Sequence, residues 1–183
     1  DRSPSRGLGD VYKRQPLDAP EVSAAIERVQ KRTDALLNCG GTHRPEWFHR
    51  KLGDILYEGC GVARDEAGLL DALTKVRELR EEFWRDVKVV GTGNRLNQEL
   101  EKAGRVADFI ELGEVMILDA LDRRESAGAH FRNEYATEAG EAKRNDGDWC
   151  AVSAWETRPD GTKVRHSEPL SFSLIDLQVR DYR

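Results

Sequence analysis

A chain of 183 residues, 38% hydrophobic and 34% charged, can bury roughly 70% of its unfolded surface around one core. Its net charge of −5 and lack of a basic block argue against nucleic acid as a partner. No apolar run approaches the ~20 residues that cross a bilayer, and Cys39, Cys60 and Cys150, three and widely spaced, read as free thiols in a reducing compartment rather than a disulfide framework.

Residues 1–15, DRSPSRGLGDVYKRQ, have no hydrophobic period and no apolar targeting core. Asp10–Gln15 is what GAT-GTG-TAT-AAG-AGA-CAG would encode, which resembles a transposon-end sequencing adapter. The segment is therefore read as an artefact joined to a truncated gene and is left out of the fold. From Pro16 onward the pattern is helical. Asp18 and Pro20 open the first helix, and Val22, Ile26, Val29, Thr33 and Leu36 recur on one face. Gly40-Gly41 stops it. Thr42 and Pro45 start a second helix lined by Phe48, Leu52, Ile55 and Leu56. Asp65 caps a third, whose stripe is Leu69, Leu73, Val76, Leu79 and Phe83. Glu81 and Arg85 on its far side form an i,i+4 pair of the kind that marks a solvated face.

Gly91-Thr92-Gly93 sits in a linker. A dinucleotide-binding GxGxxG would need glycine where Leu96 stands, and no βαβ unit surrounds it. The longest helix runs from about Leu96 to Asp122, with Leu96, Leu100, Ala103, Ala107, Ile110, Ile117 and Leu121 on one stripe. Only Glu114 interrupts that stripe, and Met116 is assigned to the core. Short connections favour antiparallel neighbours. Residues 16–132 are thus expected to form an antiparallel bundle of three to four helices.

The period changes after Arg132. Glu134–Asp148 reads as an extended polar loop, and its carboxylates as solvated charges. Trp149–Glu156 and Lys163–Glu168 read as a hairpin around the Arg158–Gly161 turn, closed by Pro169. On a regular strand Trp149 and Trp155 share a face. Since a lone hairpin is marginal, residues 133–183 should pack on the bundle or on a domain not included here. The fold class is mainly α with a C-terminal β-hairpin tail.

Little here carries chemistry. Cys39, His43, His49 and Cys60 match no common zinc spacing, so no metal site is assigned. A Ser126–His130–Glu125 relay lacks a nucleophile elbow. The bland reading of this stretch is a helix-ending loop in which Gly128 permits positive φ and Glu125 and Ser126 bond exposed backbone groups.

The run Arg123–Arg132, RRESAGAHFR, resembles the R-x-E-S-R-G-A-H-x-R segment of the succinate dehydrogenase/fumarate reductase flavoprotein family, at the end of its C-terminal helical domain. Arg144–Trp149 is similar to that family's R-D-D-x-x-W, Arg180-Asp181-Tyr182 to its R-x-Y ending, and the REEFW of Arg80–Trp84 to the preceding helix. Ala127 and Asn145 depart from the usual arginine and aspartate. The insert after Asn133 is similar to a bacterial branch paired with a di-haem cytochrome anchor.

This resemblance implies a parent subunit that holds FAD covalently, interconverts succinate and fumarate, and passes electrons to an iron–sulfur subunit and quinone. It implies a place on the inner face of the bacterial cytoplasmic membrane, through partner subunits. No flavin-attachment or catalytic arginine motif occurs in this chain, so no catalytic or cofactor-binding residue is assigned and the piece itself is expected to be structural. Glu125, Ser126, Gly128, His130 and Arg132 are assigned as a loop that docks on the flavin domain. L-aspartate oxidase, whose C-terminal domain has a similar E-S-R-G segment, and a free-standing helical interaction module are the alternatives.

Overall fold

The computed structural model describes residues 19–175, 177 and 178. The adapter-like segment, Asp18 and the R-x-Y ending lie outside them. Five helices and four strands follow in order: α1 Pro20–Asn38, α2 Pro45–Cys60, β1 Ala63–Arg64, α3 Glu66–Asp86, α4 Gln98–Asp122, β2 Phe131–Arg132, α5 Asp146–Trp149, β3 Ala151–Thr157 and β4 Lys163–Pro169. The expected architecture, a helical bundle followed by a loop and a hairpin, is the observed one.

Two helices, α3 and α4, begin at side-chain caps, whereas α1 and α2 start on a proline without one and Thr42, expected to start α2, bonds Asp86 instead. Asp65 accepts from the Gly68 N–H at 2.8 Å, and Asn97 accepts from Glu99 and Leu100 N–H at 3.1 and 3.2 Å. Asn97 also donates to Val90 and Thr92 carbonyls, so one side chain both folds the glycine linker and starts α4. That start falls two positions later than the hydrophobic pattern suggested, and Leu96 is left 95% exposed.

The core lies among α2, α3 and α4. Phe48 and Leu52 meet the full α3 stripe of Leu69, Leu73, Val76, Leu79 and Phe83, and α4 adds Ala103, Val106, Ala107, Ile110 and Ile117. The Phe48 and Phe83 rings pack edge to face with centroids 5.2 Å apart. At the other end of the same pair, a Cβ on Gly59 would lie 2.5 Å from the Ala72 Cβ. Start meets end at both places, so α2 and α3 are antiparallel. Glu46–Lys102 near their starts and Leu52 and Leu56 against Gly113 set α2 and α4 running the same way. Gly41 presses on Asp86 so closely that a Cβ would sit 1.9 Å from its carbonyl oxygen. His43 there forms a bridge with Val87, tying the α1–α2 turn to the end of α3.

Two further expectations about burial fail. The α1 stripe is not buried along its length: Leu36 is its buried residue, while Ile26 and Val29 are 64% and 66% exposed. The helix leans on α4 near its C-terminal end, where Arg32 reaches Gly104 O and Asp108. Met116 is also not core. It is 47% exposed on an open face of α4 beside Phe109 and Leu112, because the buried stripe passes through Gly113 and Ile117 instead.

Glu134–Asp148 is more structured than an extended loop. It holds a 3-10 turn at Asn133–Tyr135, an Ala136–Ala142 bridge and α5. Trp149 therefore ends a short helix instead of opening a strand, and the parity argument linking it to Trp155 does not apply. β3 and β4 pair antiparallel from Ala151–Pro169 to Thr157–Lys163. Gly161, at φ 85°, closes the turn. Ala151, Ser153 and Trp155 alternate toward shelter, and the hairpin docks on α4. Trp155 Nε1 donates to Asp119 at 2.8 Å, Lys163 pairs with Glu111 at 2.9 Å and Arg165 with Asp122 at 2.6 Å.

Candidate functional site

The loop assigned from sequence begins where α4 ends. A helix leaves its last four carbonyls without intrahelical donors, and here a buried arginine serves two of them. Arg132, 2% exposed, donates through Nη1 to Ala120 O at 2.8 Å and Leu121 O at 3.3 Å. A cation at that end also meets the negative pole of the helix, worth about 0.3–1 kcal/mol and up to ~2 when partly buried. Its Nε donates to Glu134 at 3.1 Å. The other Glu134 oxygen accepts from the Glu66 N–H at 2.5 Å, at the positive pole of α3. One ion pair thus joins the end of α4 to the start of α3. Burial opposes the Glu134 charge, but Arg132 and the Glu66 amide outweigh it and hold its carboxyl below the usual range.

Ser126 is fully buried. Its Oγ accepts from Arg132 N at 2.8 Å and donates to Arg132 O at 3.1 Å, acting as a substitute strand for that residue. Glu125, 2% exposed, accepts from Arg123 Nε and Nη2 at 2.9 and 2.7 Å and from the Asn145 amide at 2.8 Å. Ser126 N donates to Lys143 O. Two separate stretches of chain are thereby stitched together by a carboxylate and a hydroxyl.

Between them the backbone reverses. Ala127 and His130 exchange amide hydrogen bonds at 2.8 and 3.1 Å, and Gly128 holds φ 59° at the first central position, where a two-residue hairpin turn calls for glycine. His130 Nε2 lies 3.0 Å from Arg123 O and Nδ1 3.0 Å from Arg64 Nη1. A carbonyl can only accept and a guanidinium can only donate. The imidazole is therefore neutral, with its proton on Nε2. Burial pushes its pKa down and the Arg123 carbonyl pulls it up, while Arg64, Arg123 and Arg132 add to the downward side; the net result is below the ordinary histidine value.

The five assigned residues come together, but Glu125, Ser126 and Arg132 turn inward. The exposed part is the tip, Gly128 and Ala129. No Ser–His–Glu relay is assembled: the Ser126 hydroxyl is committed to Arg132, and both His130 nitrogens are engaged elsewhere. Arg64, Arg123 and Glu134 were missed as partners. Arg123 and Glu134 stand within or beside the motif and could have been weighed, whereas Arg64 arrives from β1, 66 residues away, through parallel pairing with β2. Among the loop carboxylates read as solvated, Asp146 pairs with Arg144 at 2.6 Å. Asn145 donates to Asp148 at 2.9 Å. Ala127 lines a shallow cavity of about 270 Å³ beside Arg144 and Phe172. Among the described residues, no three histidine, cysteine or acidic side chains converge to hold a metal ion, and no helix is long and apolar enough to cross a membrane.

Fold and loop together define a helical domain that closes on an inward-turned polar loop. The family model for the fumarate reductase flavoprotein C-terminal region matches residues 49–182, and the chain belongs to that family, as a C-terminal domain of the succinate dehydrogenase/fumarate reductase flavoprotein subunit. A succinate dehydrogenase flavoprotein subunit of Bacillus subtilis is 26% identical over 160 residues, covering 87% of this chain and 26% of the relative. A fumarate reductase flavoprotein subunit of Haemophilus influenzae is 27% identical over 66% of this chain and 20% of its own length. The chain therefore spans about a quarter or less of these relatives. Among solved structures, a chain of E. coli quinol fumarate reductase superposes with TM-score 0.74 at 23% identity, over 88% of this chain and 27% of that one. Archaeoglobus fulgidus adenylylsulfate reductase gives 0.63 at 17%, over 86% and 26%, so the same fold also occurs in that protein.

Proposed function

We propose that this chain is the buttressing domain of a flavoprotein subunit that interconverts succinate and fumarate, with FAD and the catalytic groups carried by a flavin-binding domain outside it. In this reading electrons leave for an iron–sulfur subunit and quinone, and a cytochrome anchor holds the complex on the inner face of the bacterial cytoplasmic membrane. The chain contributes shape rather than chemistry. The supporting observation is the loop at Glu125–Arg132, whose buried polar groups are satisfied from within and whose Gly128–Ala129 tip alone is offered outward. Such a loop is a preformed contact that costs little further ordering when it docks.

The test uses the full-length subunit. His130→Ala and Arg132→Ala should each lower flavin content per polypeptide and the yield of assembled complex severalfold. Wild-type flavin content and assembly in both variants would refute the docking role. The chain alone should be colourless and inert toward succinate; a yellow, active preparation would contradict the buttress reading. Recovering the complete reading frame separates this proposal from a free-standing module, which would start near Pro16. Assaying the complete protein with L-aspartate separates it from L-aspartate oxidase.

A further inference from the structure

We propose that His130 is an acid-released clasp: as a neutral imidazole it holds the loop closed against Arg64, and taking up a proton opens it. The argument is geometric. Nε2 already carries a proton and gives it to Arg123 O, so the Nδ1 lone pair is the one place where an added proton can go. That lone pair is occupied by the Arg64 Nη1 hydrogen at 3.0 Å. A proton from bulk water would replace this hydrogen bond with two donors facing each other and two cations in contact.

Among the described residues, the charges that act on the ring are three guanidinium groups. Arg64 faces it from β1, Arg123 from the end of α4 and Arg132 from β2. The carboxylates of the loop are committed: Glu125 to Arg123 and the Asn145 amide, Glu134 to Arg132 and the Glu66 amide. Neither pairs with His130. In water the same imidazole would protonate freely near its ordinary pKa, ~6.5. Acid therefore favours whichever form of the loop releases the ring.

The release has a defined path. Arg64 is also held by the Gly61 carbonyl at 2.9 Å and is half of the two-residue β1–β2 ladder. Repelling its guanidinium strains that ladder, and the Ala127–His130 turn swings with the ring. The clasp is a property of the loop itself and stands whether or not the loop docks on a flavin domain. The sign follows from linkage: the open form binds more protons, so closure is strongest above ~6.5 and weakens as the pH falls toward the folded-state value.

The experiment is a titration of the chain from about pH 8 to about pH 5, reading the His130 ring by NMR and the Ala127 and His130 amides by hydrogen exchange. The ring should show the Nε2–H tautomer and a midpoint below ~6.5. Amide protection, corrected for intrinsic exchange, should fall by up to about tenfold per pH unit between ~6.5 and that midpoint. His130→Gln should flatten this slope, and Arg64→Met, which removes one cation and the competing donor, should raise the midpoint. A ring that titrates at or above ~6.5, or protection that stays level while the ring protonates, overturns the clasp. The wild-type titration is decisive by itself should either variant fail to fold.

Discussion

Glu114 is the residue that a hydrophobic pattern can find but not explain. It interrupts the α4 stripe and is nevertheless 3% exposed. Arg77 reaches it through Nε at 2.7 Å, and Arg80 grips the other oxygen. Burial opposes its charge, and the two arginines more than offset this, so the carboxyl is held below its usual range. Glu114→Gln keeps the size but leaves two guanidinium groups facing an uncharged amide. It should cost about 1–3 kcal/mol in denaturant unfolding at neutral pH, the arginines' partial exposure keeping it from the top of the buried-pair range. The difference from wild type should shrink as the pH falls through the folded pKa of Glu114, because the wild type then loses the same charge. The odd position was visible in the sequence. Its partners, 34 and 37 residues earlier, were visible only as ordinary arginines on the polar side of α3, since residue spacing says nothing about which neighbouring helix faces which. The same gap explains Arg64: its place beside His130 depends on a parallel pairing that no local pattern announces.

At the scale of elements, capping chemistry and periodicity located α2, α3 and the hairpin to within a few residues. They failed where the question was burial rather than shape. α1 has the spacing of a buried helix, yet Ile26 and Val29 face outward, and Met116 lies one helical step from the true seam. Periodicity measures how a helix is sided; it does not count the neighbours available to cover that side. The α2–α3 contact depends instead on a small residue, Gly59, against Ala72. Gly59→Ala must push the two helices apart or bend one of them. Overpacking of this kind costs typically ~1–3 kcal/mol, opposed by alanine's better helix propensity, up to about 1 kcal/mol. The expected net effect is a lower midpoint of chemical denaturation. An unchanged or higher midpoint would mean that the crossing is not tight.

At the scale of the whole molecule, the chain is held at two opposite ends of its bundle by different polar devices. At the α2 start, His43 Nδ1 lies 2.5 Å from Asp86, and Thr42 adds its amide at 2.9 Å and its hydroxyl. The His43 hydrogen bond, followed by those from Thr42, draws the Asp86 carboxyl down to about 2. A carboxylate depressed in this way stabilises the fold fully above its unfolded pKa, ~3.9, and loses that contribution as the pH falls through about 2. Asp86→Asn should therefore lower the melting temperature at neutral pH, and the gap to wild type should close in strong acid. A gap that persists unchanged there would assign the effect to packing at Gly41 instead.

The opposite end is fastened by β1 and β2, two residues each, paired in parallel between Ala63–Arg64 and Phe131–Arg132. Both α3 and α4 lie between them in the sequence. Loop-closure entropy makes such a junction slow to form early and cheap once the intervening helices have paired. Its register is consequently expected to form late in folding. A nascent or clipped polypeptide could possess every helix and still lack a finished rim, and order in those four residues is the sign that self-assembly of the domain is complete.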